Sequence, residues 1–248
     1  MRLLLPLVAI SALFLVACGS GGDENEPAAT GVPTTAATVE NRAEVEALLK
    51  AASLHLEDLP SGFTLDDERF TTNEEAAAEQ ENNAHAPTLE DLDRFGRILG
   101  YEASYSPDAS SGSVNADVLS LQMTTTVYQD SKGADEHFQF VREQTSDPEF
   151  IQAFEDSLAS GGVEVKDATI SPMSIANIGD DSLALELKVT AHNPDVDADF
   201  DVISQIVGVR RGRGIGAITV VAVGSPEPVD ELESLARTLD ERLKGALE

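Results

Sequence analysis

Val118-Leu-Ser-Leu-Gln-Met-Thr-Thr-Thr-Val-Tyr128 is the stretch that decides the fold. Apolar and polar residues alternate along it with a period of two, the spacing that turns one side of an extended chain toward a core. Tyr101, Ala103 and Tyr105 alternate in the same way just upstream, and Ser110 to Ser113 supplies a Ser/Gly turn between the two runs. The pair reads as a β-hairpin. Further strand candidates follow over 163–170, 182–191, 199–210 and 215–223, and Pro226 and Pro228 end the pattern.

Helical spacing brackets these strands. Asn41, with Glu44 three residues on, has the form of a capping box opening an amphipathic helix that carries Val45, Leu48, Leu49 and Ala52. Residues 63–71 read as extended, and 73–86 as a solvated helix ended by Pro87. Thr88 caps a helical stripe of Leu89, Leu92, Phe95 and Leu99 that Gly100 stops, and this whole region is expected to be the least regular of the domain. Asp130-Ser131 opens a helix bearing Ala134, Phe138 and Val141, and a second helix is expected over 147–159. The last helix shows a core-facing stripe of Leu232, Leu235, Ala236, Leu239 and Leu243. Strands joined by tight turns and grouped between helices predict an α+β fold, with an antiparallel β-sheet packed against helices in a single domain.

The chain is strongly acidic: 45 Asp and Glu against 16 Lys and Arg give a net charge of −29 over 248 residues. Such a surface repels phosphates, which argues against nucleic acid as a partner and against charge-driven attachment to anionic lipid. The same excess suits a solvated surface or a saline exterior. One cysteine, Cys18, is present and leaves no intrachain disulfide available.

Leu15-Val16-Ala17-Cys18 follows Arg2 and an apolar run, 3–16, that only Pro6 and Ser11 interrupt. The run is short of the roughly 20 residues a spanning helix needs and suits a secretory signal. The tetrapeptide resembles the lipobox of bacterial lipoproteins cut by signal peptidase II. That resemblance implies cleavage before Cys18, a diacylglyceryl (palmitate-type) anchor on its thiol, and export to the outer face of the cell membrane. Gly19, standing where an aspartate would retain the protein, implies that an outer membrane could also receive it. The expected organisation is a signal peptide over 1–17, lipidated Cys18 with a Gly/Pro/Thr/Ala-rich flexible linker over 18–40, and the α+β extracytoplasmic domain over 41–248.

Four short stretches of the domain carry a second resemblance. They are Asp58-Leu-Pro-Ser-Gly-Phe63, Gly179-Asp-Asp-Ser182, Val209-Arg-Arg-Gly-Arg213 and Leu235-Ala-Arg-Thr-Leu-Asp-Glu-Arg-Leu243. Together they resemble PsbP-like domains and the Lpq-type or sensor-type lipoprotein domains of mycobacteria. The resemblance implies an antiparallel sheet packed on helices and no particular activity.

Four groups of residues are candidates for function. Asp195, Asp197, Asp199 and Asp201 place hard oxygen ligands at every second position, as a Ca2+ loop does. Phe200 and Ile206 stand where an EF-hand loop has glycine and a bidentate glutamate, and the same spacing on a strand makes one wet, acidic face on a hairpin edge that discourages edge pairing. Arg210, Arg211 and Arg213 form a basic knot around a Gly212/Gly214 turn; they clamp an anion or balance neighbouring acids. His192 lies at a strand end beside the aspartates. Tyr101 and Tyr105, with Tyr128 on the adjacent strand, are core residues or the lining of a small apolar ligand pocket.

No His-Glu-x-x-His zinc signature and no Gly-x-Ser-x-Gly elbow occurs. The sequence therefore reads as a lipid-anchored extracytoplasmic domain that binds, senses or assists envelope assembly without catalysis. Its membrane contact is through Cys18, and its other partner is an envelope protein or small ligand. Two alternatives stay open: a hydrolase without a recognisable motif, and a surface adhesion module stabilised by Ca2+.

Overall fold

The described residues hold seven strands: β1 (Phe63–Thr71), β2 (Arg97–Pro107), β3 (Val118–Tyr128), β4 (Glu164–Pro172), β5 (Asp181–Asn193), β6 (Ala198–Arg211) and β7 (Gly214–Val223). Apolar and polar residues alternate along β3, whereas β7 is apolar and buried almost throughout. A computed structural model describes residues 41–80, 86–108, 118–147, 164–193, 198–224 and 229–247. The strands form one antiparallel sheet in the order β1-β2-β3-β7-β6-β5-β4. Among the described residues five helices accompany them: α1 (Arg42–Ala52), α2 (Asn73–Glu79), α3 (Leu89–Arg94), α4 (Ser131–Gln144) and α5 (Val229–Leu247), with a 3-10 turn at Leu56–Asp58. The fold is α+β, as expected from the grouping of strands between helices.

The hairpin expected over 101–128 is present, with Tyr101 opposite Thr125 and Tyr105 opposite Leu121. Its 110–113 turn lies outside the described residues, as does residue 148 onward of the helix expected over 147–159.

Helices α1 and α5 cover one face of the sheet. Val45 and Leu49 of α1 and Leu232, Leu239 and Leu243 of α5 join Tyr101, Met123, Val207 and Ile218 in one core. Each buried leucine contributes about 1.5–3 kcal/mol by leaving water. Gly216 of β7 makes room for this layer, since a β-carbon there would fall 2.8 Å from Leu239 Cδ2. On the opposite face α4 sets Ala134 and Phe138 against Phe95, Tyr128 and Ile215.

Three expectations need correction. The helical stripe from Leu89 does not reach Leu99, because Gly96 adopts φ 68°, a left-handed conformation that ends the helix. Leu99 and Gly100 lie instead within β2, opposite Val127 and Thr126. The region before Tyr101 is also more regular than expected, since β1 is a full nine-residue edge strand. Finally, Asp199 and Asp201 sit on β6, an inner strand, opposite His192 and Thr190 of β5 and ahead of the pairing with β7, which begins at Val202. The outermost strand on that side is β4, so these aspartates lie on an overhang of an inner strand and not on the edge strand of the sheet.

Candidate functional site

Helix α1 owes its start to Asn41, whose Oδ1 accepts from the Ala43 N–H at 3.3 Å, and its end to Ser53. Ser53 Oγ bonds both Leu49 O at 2.7 Å and Thr125 Oγ1 at 2.8 Å, which fastens the end of the helix to β3. The chain then dips toward β2, where the Tyr105 hydroxyl donates to Leu54 O at 3.2 Å. The 3-10 turn that follows is held from two sides. Asp58 accepts from the His55 N–H at 2.7 Å and from Arg242 of α5 at 2.7 Å. Burial works against the Asp58 carboxylate, but the Arg242 and His55 bonds prevail and hold its pKa below the ordinary value.

This path leaves a cavity of about 560 Å³ between the end of α1, the 3-10 turn and the first two strands. Lys50, Leu54, His55, Leu56, Glu57, Leu65, Glu68, Tyr101 and Tyr105 line it. Tyr101 and Tyr105 are 6% and 3% exposed, so each is a core residue and a wall of the cavity at once. Leu56 and Leu65 are 47% and 45% exposed and form an apolar rim, two of the four large apolar side chains the described residues show to solvent. Half of these exposed large apolar side chains thus sit at one opening.

The polar side of the cavity is one connected group. Lys50 Nζ donates to Glu68 Oε1 at 2.6 Å, and the Tyr101 hydroxyl donates to Glu68 Oε2 at 2.6 Å. The Lys50 bond, then the Tyr101 bond, lowers the Glu68 pKa, so the carboxylate stays charged. Burial first, and the Glu68 carboxylate second, raise the Tyr101 pKa and keep the phenol protonated. Lys50 Nζ also stands 5.7 Å from the Phe70 ring centre and 5.8 Å from that of Tyr101, within reach of a cation–π attraction.

The structure does not gather the other candidates here. Arg210 faces Asp135 at 3.3 Å and Asp180 at 3.6 Å. Arg211 grips Asp240 with bonds of 2.7 and 2.6 Å, and Arg213 reaches Tyr128 O at 3.4 Å. The knot thus balances local acids around the β6–β7 turn, where Gly212 adopts φ 54° and gives its N–H to Asp180. His192 Nδ1 meets Asp199 Oδ1 at 2.8 Å, and Asp199 also binds Lys166 at 2.7 Å. Asp201 binds Lys188 at 2.7 Å and Thr190 at 2.8 Å. Asp195 and Asp197 lie outside the described residues. Among the described residues no group of three or more His, Cys, Asp or Glu side chains is placed to hold a metal ion. Tyr128 faces the opposite side of the sheet, bonded to His137 and packed with Phe95.

The chain is similar in outline to the extracellular domain of PknH from Mycobacterium tuberculosis. The two are 8% identical; the match covers 80% of this chain and 96% of that one, with a TM-score of 0.43. At that score the likeness supports no statement about function. No protein-family model matches the chain. No curated protein matches it either.

Of the cavity's lining, sequence pattern points only to Tyr101 and Tyr105. Lys50, Glu68 and His55 are single polar residues on three separate elements, and no spacing links them before the chain folds. Exposed Leu65 on an acidic edge strand, Leu-Asp-Asp-Glu-Arg, is the one local signal that could have been used.

Proposed function

We propose that the protein is a lipid-anchored extracytoplasmic binding domain, and that the cavity between α1 and the β1–β2 edge receives a small ligand with an apolar body. The cavity itself carries this reading: two tyrosine walls, an exposed leucine rim and one polar corner, a composition suited to holding an organic molecule in one orientation. Its volume suits a ligand of about drug size or smaller. In the polar corner Lys50 is ion-paired to Glu68 and Tyr101 keeps its proton, so neither is an activated nucleophile, which favours binding over turnover. For the anchor, Leu15-Val-Ala-Cys18 and the linker behind it support lipidation. Among the described residues no helix is long and apolar enough to cross a membrane.

Titration with the fluorescent probe N-phenyl-1-naphthylamine tests the cavity. Saturable binding of one probe per chain is expected, weakened at least about fivefold in Leu56→Asp and Leu65→Asp, since each removes apolar contact worth about 1–2 kcal/mol. Unsaturable binding, or binding indifferent to both substitutions, refutes the assignment. For the anchor, Cys18→Ala should abolish incorporation of labelled palmitate and release the protein from the membrane fraction.

A further inference from the structure

Lys50 is the protein's own occupant of a cation site, and we infer that the ligand of this cavity carries a positively charged amine that replaces it. The inference rests on the binding role proposed above and narrows it to one chemical class. Its core is the surroundings of a single ammonium group. Glu68 supplies a carboxylate oxygen at 2.6 Å, and the rings of Phe70 and Tyr101 lie 5.7 and 5.8 Å from the nitrogen. A carboxylate beside two aromatic faces is the chemistry that recognises ammonium ions, because the charge and both ring quadrupoles attract a cation together. The Phe70 and Tyr101 rings are tilted by 46° with centres 5.1 Å apart, so they form a fixed corner.

Lys50 and Glu68 are similarly exposed, at 44% and 41%, and a second hydrogen bond holds only Glu68 in place. Glu68 is oriented by this second bond from the hydroxyl of the buried Tyr101, independent of Lys50. Lys50 approaches from the end of α1 with its side chain 44% exposed, and an ion pair that open contributes at most about 1 kcal/mol. Lys50 can swing into solvent at little cost and leave the carboxylate and ring faces to a competitor. An amine ligand whose apolar body lies against Tyr105, Leu56 and Leu65 adds contacts that the lysine lacks.

Charge complementarity selects a cation over an anion. With Lys50 displaced, the acids lining the cavity are Glu57 and Glu68, and the chain as a whole carries −29. A field of this sign raises the local concentration of cations and disfavours carboxylate or phosphate ligands.

Competition against N-phenyl-1-naphthylamine in 150 mM salt tests the inference, with octyltrimethylammonium, octanoate and 1-octanol as competitors of matched chain length. Octyltrimethylammonium should displace the probe at a concentration at least about tenfold below the other two. Lys50→Ala should tighten it by about two- to fivefold, the worth of the exposed pair it no longer has to break. Glu68→Gln should erase its advantage, while Asp167→Asn, a charge removed from the exposed face of β4, should leave it intact. Equal displacement by all three, a preference for octanoate, or a preference that survives Glu68→Gln overturns the inference. So does an unchanged affinity in Lys50→Ala. If the naphthylamine itself fails to bind, the binding role falls first; if it binds without amine preference, only the ligand class falls.

Discussion

The guanidinium of Arg97 fills the space over Gly100 that a side chain would take: a β-carbon on Gly100 would run into Arg97 Nη2 and fall 2.7 Å from Thr71 Oγ1. Arg97 is 8% exposed and satisfies itself on neutral acceptors, Thr71 O at 3.1 Å, Thr71 Oγ1 at 3.0 Å and Asn73 Oδ1 at 2.9 Å. It thereby staples the start of β2 to the end of β1 and to α2. Gly100→Ala should destabilise the fold by about 1–3 kcal/mol, the usual cost of overpacking. In an Arg97→Leu background the same change should cost markedly less, because the two residues share one space. Urea denaturation of the four variants measures the coupling, and additive costs would show that the clash is relieved elsewhere.

Arg211 and Asp240 join β6 to α5 by two parallel bonds, with side chains only 20% and 15% exposed. Paired forks of this kind are stronger than single ion pairs, and partial burial makes loss of one partner costly. Asp240→Asn should lower stability by about 1–2 kcal/mol, between the exposed and buried cases. Arg211→Lys should lower it similarly, since an ammonium cannot reproduce the fork. Asp199→Asn, at an exposed pair with Lys166, is the comparison and should change little; equal effects at both sites would remove the special standing of the Arg211–Asp240 pair.

Gly133, in the first turn of α4, lies so close to Phe95 that an added β-carbon would overlap its carbonyl oxygen and come within 2.9 Å of its carbonyl carbon. Neither is the free end of a flexible side chain, so the helix itself has to move. Gly133→Ala should therefore cost about 1–3 kcal/mol despite alanine's better helix propensity. A melting temperature equal to or above that of the parent would contradict this packing.

His137 stacks on Phe95 at 4.9 Å and bonds the Tyr128 hydroxyl. Burial, helped by the nearby Arg97 charge, holds its pKa well below the ordinary 6.5. The folded protein keeps this ring neutral while the unfolded chain protonates it, so stability is full above pH 6.5 and falls as pH drops below that value. Asp58, Glu68 and Asp181 have lowered pKa values, so their contributions are lost at pH values below about 4.5. Burial raises the Glu102 pKa, which adds a slope of opposite sign above about 4.5 that a change at His137 leaves in place. In His137→Phe the slope of unfolding free energy between pH 6.5 and about 4.5 should become less positive even though the lost Tyr128 bond lowers its absolute value. An unchanged slope would mean that the imidazole is protonated in the folded state.

The strand and helix pattern was legible because it is periodic. Val118 to Tyr128 announces its pleat, and the Leu232-to-Leu243 stripe its helix face, within a single element. Leu89, Leu92, Phe95 and Leu99 fit helical spacing equally well, yet Gly96 overrides that spacing through its left-handed turn. Which strand lies outermost was not legible, since β4 reaches the far edge through tertiary pairing alone, and Asp199 and Asp201 fall on the inner strand β6, ahead of its pairing with β7. The candidate site was half visible. Tyr101 and Tyr105 share a strand face, whereas Lys50 and Glu68 meet only when a helix end packs over an edge strand. The arginine knot announces its charge, but its partners Asp135, Asp180 and Asp240 come from three distant parts of the chain.

The position of β7, between β3 and β6 at the centre of the sheet, sets an order on assembly. A chain emerging from its amino end can complete the β1-β2-β3 meander early, but one margin of β3 then stays open, carrying Leu121 and Met123 toward absent neighbours. The strand that closes it is the last of the seven to be made. Its pairing spans all of β4, β5 and β6, the kind of long-range closure that slows folding. Until it arrives, an apolar strand margin is available to another copy of the chain. Assembly is thus most vulnerable to misassociation just before the carboxyl-terminal helix is complete, and truncations that remove β7 should yield aggregates in place of a smaller folded domain.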